Sequence, residues 1–269
     1  MRKVSVVLVL ILGLFAAVSC GKFRKIEKSQ DWRVKYEAGL IYYAKKDYYR
    51  TSILFEQILP IVRGLPEGEK VQFYLAYCQY YEKLYLLAAE QFKSFYETYG
   101  RGTLSEEARF MYAYSLYRSS PGPTLDQSES IEAMTSMQDF LNRYSSSKFK
   151  DQAIEVIYIV QERLEKKGFE NARQYVRMRQ YKAAIVAMDN FQRNFPDSKY
   201  LEESYFLIIQ SQFELAEKSV VNKQRERYLE VVQNYKNFVD RFPESKFLKD
   251  AERYYVESNS KLSTLKVNS

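Results

Sequence analysis

Apolar residues recur along this chain at helical spacing, and the helical pattern is itself repeated. Three segments that begin near residues 34, 71 and 108 align at a spacing of 37 residues. In each segment, large side chains fall at offsets 0, 4 and 7 from the first aromatic residue, and a small residue falls at offset 3. These offsets trace one face of an α-helix. A second helical run follows each segment, so the pattern predicts a series of helical hairpins.

The joints between hairpins are repeated as well. The stretches FPDSKYLEES at 195–204 and FPESKFLKDA at 242–251 share one pattern, and YSSSKFKDQA at 144–153 is a weaker copy. Proline cannot continue a helix, and serine is a favoured N-cap, so each stretch indicates the end of one helix and the start of the next. The combined pattern predicts five repeats and a closing helix: 32–64, 68–100, 105–145, 168–197, 202–243 and 246–262.

The repeat resembles the tetratricopeptide repeat. Two antiparallel helices approach closely only where a small side chain lies at their crossing, which fits Gly39, Ala76, Ala113 and Ala172. One hairpin cannot bury its apolar face alone, so hairpins stack. The predicted fold class is therefore all-α, a right-handed α-solenoid of about five tetratricopeptide repeats with a closing C-terminal helix.

The predicted organisation has two blocks of repeats. The first block, 32–147, holds repeats one to three, and the second, 168–262, holds repeats four and five with the closing helix. An additional connecting helix is expected at 148–167. The stretch RSSPGPTLDQSES at 118–130 contains two prolines between the helices of the third repeat, so we expect a surface loop there.

The first nineteen residues have the features of a targeting segment. Arg2 and Lys3 precede an apolar run that ends AVSC at 17–20, which resembles a bacterial lipoprotein signal peptide, although Ala17 stands where the strongest form has Leu. On this interpretation residues 1–19 are removed, Cys20 carries acyl chains such as palmitate, and 20–31 form a lipid-anchored linker to the bilayer. The alternative is an uncleaved membrane anchor.

Composition excludes several classes of chemistry. The chain has no histidine, which removes histidine-dependent nucleophiles, general bases and metal ligands. We find no catalytic constellation, phosphate-binding loop, cofactor site or metal site, so an enzyme is not expected. Without residues 1–19 the chain has 39 basic and 34 acidic residues, well mixed, which does not indicate nucleic-acid binding. Cys78 lies in an apolar helical stretch and is expected to be buried.

The aromatic stripe on the first helices is the best functional candidate. Tyrosine combines a rigid apolar ring with a hydrogen-bonding hydroxyl, which suits a groove that binds peptides. The alternative is that the stripe forms the core between repeats. The candidate peptide groove consists of Tyr36, Leu40, Tyr43, Phe73, Tyr77, Tyr80, Phe110, Tyr114 and Tyr117.

Several stretches of the chain, together with Cys20, resemble the BamD-like family. Members of this family are outer-membrane lipoproteins of the β-barrel assembly machinery. The stretches that carry the resemblance are YYAKKDYYRTSILFEQILP, LAYCQYYEKLYLLAAEQF, SPGPTLDQS and YKAAIVAMDNFQRNFPDSKY. The resemblance implies a non-catalytic protein on the periplasmic side of the outer membrane of a Gram-negative-type bacterium. It further implies that residues 36–117 receive unfolded outer-membrane proteins and that residues 168–255 bind the periplasmic domains of the central barrel subunit.

Other functions share some of these features. Another periplasmic tetratricopeptide lipoprotein, acting in cell-envelope maintenance or peptidoglycan coordination, would have the same fold and anchor. A glycan-binding lipoprotein of an uptake system would also use aromatic residues, although the chain has a single tryptophan, Trp32. The partner that co-purifies with the protein distinguishes these classes.

Overall fold

The protein is helical throughout the part that the structure describes. The structure is a computed structural model, and it describes residues 21–123 and 125–267. All regular elements in those ranges are helices and none is a strand, which confirms the all-α prediction. The predicted signal peptide and the predicted lipidation site, Cys20, lie outside the described residues.

The chain divides into two compact units. Unit 1 comprises residues up to Pro121 together with Asp126–Val160, and unit 2 comprises Gly122–Leu125 and the residues from Gln161 onward. A short helical segment at 21–27 comes first. The helices that follow are α1 Trp32–Ala44, α2 Tyr48–Val62, α3 Pro66–Tyr81, α4 Tyr85–Thr98, α5 Ser105–Ser119, α6 Ser128–Arg143, α7 Lys150–Arg177, α8 Tyr181–Asn194, α9 Leu201–Glu217, α10 Val221–Arg241 and α11 Leu248–Val267.

Consecutive helices pack as hairpins, as a tetratricopeptide-like solenoid requires. In unit 1 the hairpins are α1–α2, α3–α4 and α5–α6, and each hairpin packs against the next. We call the first helix of a hairpin helix A and the second helix B. The A helices α1 and α3 also contact each other, as do α9 and α11 in unit 2. Neighbouring repeats therefore present their A helices side by side.

Helix α7 is longer than the sequence pattern predicts for any one element. It runs without a break over most of the expected connecting helix, 148–167, and over the first helix of the expected fourth repeat. Gly168 lies inside it and does not interrupt it. A Cβ at this position would lie 3.0 Å from Cε2 of Phe195, so this glycine allows a close approach of an aromatic ring.

Three turns between helix A and helix B have the same geometry. After α1, the N–H of Asp47 donates to the carbonyl of Tyr42 and the N–H of Lys46 to that of Tyr43, both at 2.9 Å. This pair of bonds is the Schellman motif. The same pair closes α3 and α7. The left-handed position of the motif usually holds glycine, but here it holds Lys46 (φ 60°), Lys83 (φ 64°) and Arg179 (φ 57°).

Helices A and B of repeat 1 cross where glycine replaces a side chain. A Cβ at Gly39 would lie 2.2 Å from Cε1 of Phe55, whose side chain is fully buried. The predicted small positions of the other repeats, Ala76, Ala113 and Ala172, are buried as well. The small residues therefore permit the close packing that the pattern predicted.

The joints share one local structure. In the joint at 242–251 the Oγ of Ser245 accepts a hydrogen bond from the N–H of Phe247 at 3.0 Å. Ser147 and Ser198 accept the equivalent bonds in the other two joints. The serine of the joint also reaches back to the preceding helix A, because Ser245 donates to Glu202. Within the described ranges, no helix is both long enough and apolar enough to cross a membrane.

Candidate functional site

Tyrosine rings from the A helices of unit 1, together with Tyr48 at the start of α2, form a connected row. The ring of Tyr43 contacts Tyr48 at 5.7 Å between centroids, and Tyr48 stacks on Tyr81 at 4.5 Å. Tyr81 contacts Tyr80 at 5.6 Å, and Tyr80 contacts the next A helix through Tyr114 at 6.1 Å. Tyr117 extends the row, 5.7 Å from Tyr114. We call Tyr43, Tyr48, Tyr80, Tyr81, Tyr114 and Tyr117 the tyrosine ladder.

Three tyrosines of the ladder come from equivalent positions in successive repeats. Tyr43, Tyr80 and Tyr117 lie in the last turns of α1, α3 and α5, which are helices of successive repeats. The ring contacts between repeats join Tyr48 to Tyr81 and Tyr80 to Tyr114. Edge-to-face, tilted and stacked pairs at these distances contribute about 0.5–1.5 kcal/mol each beyond the area that they bury.

Tyr77 packs against buried aromatic rings next to the ladder. Its ring lies 5.1 Å from the ring of Phe73 and 5.1 Å from that of Phe92. Its hydroxyl donates to Glu107 of the next repeat at 2.5 Å. Burial, and then the hydrogen bond to Glu107, raises the pKa of this phenol well above its usual value. Tyr77 therefore stays neutral and links repeats 2 and 3.

An arginine lies at the centre of the ladder. Arg118 donates from Nη1 to the hydroxyl of Tyr80 at 3.2 Å and from Nη2 to the hydroxyl of Tyr85 at 2.8 Å. Its guanidinium also lies 5.0 Å from the ring centre of Tyr85. Burial raises the pKa of Tyr80 to about 12, although the charge of Arg118 acts in the opposite direction. The site thus combines apolar ring faces, neutral hydroxyls and one cation.

The predicted groove residues fall into two groups. Tyr43, Tyr77, Tyr80, Tyr114 and Tyr117 are partly exposed and belong to the ladder or support it. Tyr36 and Leu40 are also partly exposed but pack against the core cluster that contains Phe55 and Leu75.

Phe73 and Phe110 need a correction, because they are buried. Their side chains are 5% and 2% exposed. Phe73 packs against Phe92 and Phe95 of the same hairpin, and Phe110 stacks on Phe149 in the following joint, with centroids 4.5 Å apart. These two residues form core contacts, and we exclude them from the candidate site.

Two ladder residues were not predicted from the sequence. Tyr81, which is 47% exposed, lies four residues after Tyr77 on the same face of α3, so helical spacing could have identified it. Tyr48 is the first residue of α2 and lies outside the stripe on the A helices. The predicted buried cysteine, Cys78, is fully buried and its thiol is free, which confirms that prediction. Burial raises the pKa of this thiol to about 12.

Unit 2 has an apolar groove of its own. Its volume is about 830 Å³, and it lies between the end of α7, helix α8 and the end of α9. Tyr181, Val186 and Leu215 line it, and Val186 is 54% exposed. Lys218 lies at its border, with Nζ 4.4 Å from the ring centre of Tyr181 and 3.1 Å from its hydroxyl.

Comparison with known proteins gives a family for this chain. The model of the YfiO family, described as an outer membrane lipoprotein, matches residues 29–224 and 179–268. The chain belongs to this family of outer membrane lipoproteins. A relative described as a putative outer membrane protein assembly factor BamD, from Aquifex aeolicus, is 30% identical over 126 residues. That match covers 46% of this chain and 41% of the relative.

Family membership bears directly on the two units. The family model covers both of them, and its two matched segments overlap at residues 179–224 in unit 2. The tyrosine ladder and the groove of unit 2 therefore both belong to an outer membrane lipoprotein.

Proposed function

We propose that this lipoprotein is a non-catalytic subunit of the machinery that inserts β-barrel proteins into the outer membrane. The observation that carries the proposal is the tyrosine ladder, a continuous aromatic surface across three repeats. The name of the Aquifex aeolicus relative, which refers to outer membrane protein assembly, supports it. On this proposal the protein faces the periplasm and is held at the membrane by acyl chains on Cys20.

The ladder suits an extended segment of an unfolded barrel protein. Strands of such barrels alternate apolar and polar residues over about ten positions. An extended chain can place its apolar side chains on the ring faces of the ladder, while its backbone meets the phenol hydroxyls. Because those rings are already packed against one another, little side-chain entropy is lost on binding.

Unit 2 is the proposed contact for the periplasmic domains of the central barrel subunit. Its groove offers exposed apolar side chains beside the cations Arg179, Lys182 and Lys218. When both units are occupied, the unfolded segment is held close to the barrel subunit, which raises its effective concentration at the insertion site.

The ladder is tested by peptide binding. We would titrate the protein with a labelled peptide of about ten residues with alternating aromatic and polar side chains. Tyr81→Ala should weaken binding about tenfold, because a lost aromatic contact of about 1.4 kcal/mol corresponds to that factor. Tyr158→Ala is the matched control, since Tyr158 is 62% exposed but lies on α7 outside the ladder. Equal effects of the two variants would contradict the proposal.

The partner is tested by co-purification from membranes in mild detergent. A barrel protein with repeated periplasmic domains should be recovered with the protein and lost with Val186→Asp. Ile154→Asp is the control, since Ile154 is 48% exposed and lies in unit 1. Recovery of peptidoglycan enzymes or a sugar transporter alone would favour a role in envelope maintenance or glycan uptake.

A further inference from the structure

The segment that precedes α1 is packed against repeat 1 and is not a free linker. Residues 21–27 are helical, and the Phe23 side chain is only 8% exposed. Phe23 belongs to a core cluster with Ala38 and Leu54. Its ring meets that of Tyr42 edge to face, with centroids 5.7 Å apart. The chain that leads to Cys20 is therefore fixed to the body of unit 1.

These contacts define the end of repeat 1 at which the chain arrives. Tyr42 lies near the end of α1, and Arg50, whose guanidinium is 5.4 Å from the Phe23 ring centre, lies near the start of α2. Phe23 therefore lies beside the turn between helices A and B. Cys20 precedes Phe23 by three residues, a reach of about 10 Å even for a fully extended chain. Any acyl chains on Cys20 are thus tethered beside this turn.

The turns at this end carry exposed cations. Lys45 and Lys46 form the turn of repeat 1, and Lys83 occupies the equivalent left-handed position in repeat 2. Asp47, an acid of the first turn, is paired with Arg50 at 3.1 Å, so its charge is largely balanced. The segment before α1 adds the exposed residues Lys22, Arg24, Lys25 and Lys28.

The same turns also carry exposed apolar residues. Tyr49 in the first turn of α2 is 67% exposed, and Leu84, just before α4, is 50% exposed. In the first turn of α4, Leu86 and Leu87 are 53% and 46% exposed. The turns of repeats 1 and 2 are neighbours, because Tyr48 of one stacks on Tyr81 of the other. They therefore form one continuous edge, and these residues are distinct from the tyrosine ladder.

We propose that this edge lies on the phospholipid surface of the membrane. The turn edge consists of Lys45, Lys46, Tyr49, Lys83, Leu84, Leu86 and Leu87. Its lysines face lipid phosphates, and its apolar side chains enter the interface between headgroups and acyl chains. The lipid surface is favoured over a protein partner, because a short, packed segment tethers the proposed acyl chains of Cys20 beside this edge. The inference rests on the proposed lipidation of Cys20.

The test uses the lipidated protein purified from membranes and reconstituted into vesicles of phosphatidylethanolamine and phosphatidylglycerol. A fluorophore is attached at Leu84→Cys, and nitroxide groups are placed on lipid headgroups as quenchers. Ile61→Cys is the matched control, because Ile61 is 56% exposed but lies at the opposite end of α2. The native thiol of Cys78 is fully buried and is protected from labelling.

We expect severalfold stronger quenching at position 84 than at position 61. Replacing Lys45, Lys46 and Lys83 by Glu should reduce the quenching at position 84, and omitting phosphatidylglycerol should do the same. Equal quenching at the two positions, or stronger quenching at position 61, overturns the proposal. The proposal is also overturned if the environment of the fluorophore at position 84 changes only when a partner protein is added and not when lipid is present. That result would assign the edge to the partner protein.

Mass spectrometry and vesicle flotation separate this outcome from a failure of the proposed anchor. A protein without acyl chains that does not float contradicts lipidation at Cys20, and with it the tether on which the turn edge depends. A protein that is acylated and floats, but shows no quenching at position 84, contradicts the turn edge alone.

Discussion

The ring of Phe247 lies flat on the ring of Phe206, with centroids 4.8 Å apart and planes 9° apart. Phe247 belongs to the joint after α10, and Phe206 belongs to the A helix of the preceding repeat. The same stack occurs between Tyr200 and Phe169 at 4.8 Å, and between Phe149 and Phe110 at 4.5 Å.

In each joint the preceding lysine also approaches the stacked ring, as Lys246 does at 4.9 Å from the ring centre of Phe247. Three of the residues that the repeated stretches share therefore have a physical task. The serine holds the turn, the lysine covers the ring, and the aromatic residue stacks on the preceding repeat.

The joint between repeats 2 and 3 lacks the serine, and restoring it should stabilise the protein. Gly102 occupies the serine position, since its N–H bonds to the Tyr99 carbonyl at 2.9 Å as that of Ser147 bonds to Tyr144 at 3.1 Å. A Cβ at Gly102 would lie 2.5 Å from Oε1 of Glu69 and 3.2 Å from the carbonyl oxygen of Tyr99. The Glu69 side chain is flexible and can shift to accept a hydrogen bond from a serine hydroxyl, and the turn must move by a few tenths of an ångström at Tyr99. Ser147 makes the equivalent bond to Glu106 at 2.6 Å.

Gly102→Ser should therefore raise the free energy of unfolding by about 1 kcal/mol, the usual net value of one hydrogen bond. Thermal unfolding measures the effect. Gly102→Ala is the control for backbone entropy, and the serine variant should exceed it only while Glu69 is present. If Gly102→Ser gains nothing over Gly102→Ala, the proposed equivalence of the joints is wrong.

Replacing Arg179 by glycine should also stabilise the protein. Arg179 is exposed, and its φ of 57° is a backbone conformation that costs a residue with a side chain about 1–2 kcal/mol. Glycine relieves this cost but loses more entropy on folding, so a net gain of about 1 kcal/mol is expected. The melting temperature should therefore rise.

Lys236→Gly provides a control of opposite sign. Lys236 is exposed inside α10, where glycine costs about 1 kcal/mol. A lower melting temperature for Arg179→Gly would contradict the argument from backbone strain.

Helical periodicity and joint chemistry predicted most of the fold. The closing helix, expected at 246–262, runs over Leu248–Val267, and the proline-containing stretch at 118–130 separates α5 from α6. The left-handed turns could not be predicted in the same way, because Lys83 and Arg179 carry no glycine signal. The sequence pattern placed a boundary between the connecting helix at 148–167 and the fourth repeat, whereas α7 continues through Gly168 without a break.

The candidate site was predicted in part. Periodicity places Phe110 and Tyr114 on the same face of one helix, but it does not say which neighbour covers each of them. Burial by Phe149 removes Phe110 from the surface, whereas Tyr114 stays partly exposed in the ladder. Contacts between repeats decide this difference, and a single helical stripe does not contain that information.

The ladder should make unit 1 sensitive to alkaline pH. The pKa of Tyr80 is raised from 10 to about 12 in the folded protein, so folding favours the protonated phenol. Its contribution to stability is fully present below pH 10, the pKa in the unfolded chain, and is lost as pH rises through the folded value.

The melting temperature of the wild type should therefore fall between about pH 10 and pH 12. Tyr80→Phe cannot ionise and should show a smaller fall over this range. Tyr158→Phe is the control, as Tyr158 is exposed on α7, and it should follow the wild type. Identical pH profiles for Tyr80→Phe and the wild type would refute the role of this phenol.

The crossing of α1 and α2 should tolerate no added methyl group at Gly39. A Cβ there would lie 2.2 Å from Cε1 of Phe55, and the ring has no space to withdraw because it is fully buried. Gly39→Ala should therefore lower the free energy of unfolding by about 1–3 kcal/mol, the usual cost of overpacking a core. Gly122→Ala is the control, because within the described part of the chain a Cβ at that glycine would have no atom within 4 Å apart from its chain neighbours.

A double-mutant cycle tests whether the clash with Phe55 is the cause. Phe55→Leu removes the ring that meets the new methyl group, so the two substitutions together should cost less than the sum of their separate effects. Residues in contact typically show couplings of about 0.5–3 kcal/mol, which chemical denaturation resolves. Additive effects would mean that contact with the Phe55 ring is not the cause of the cost of Gly39→Ala.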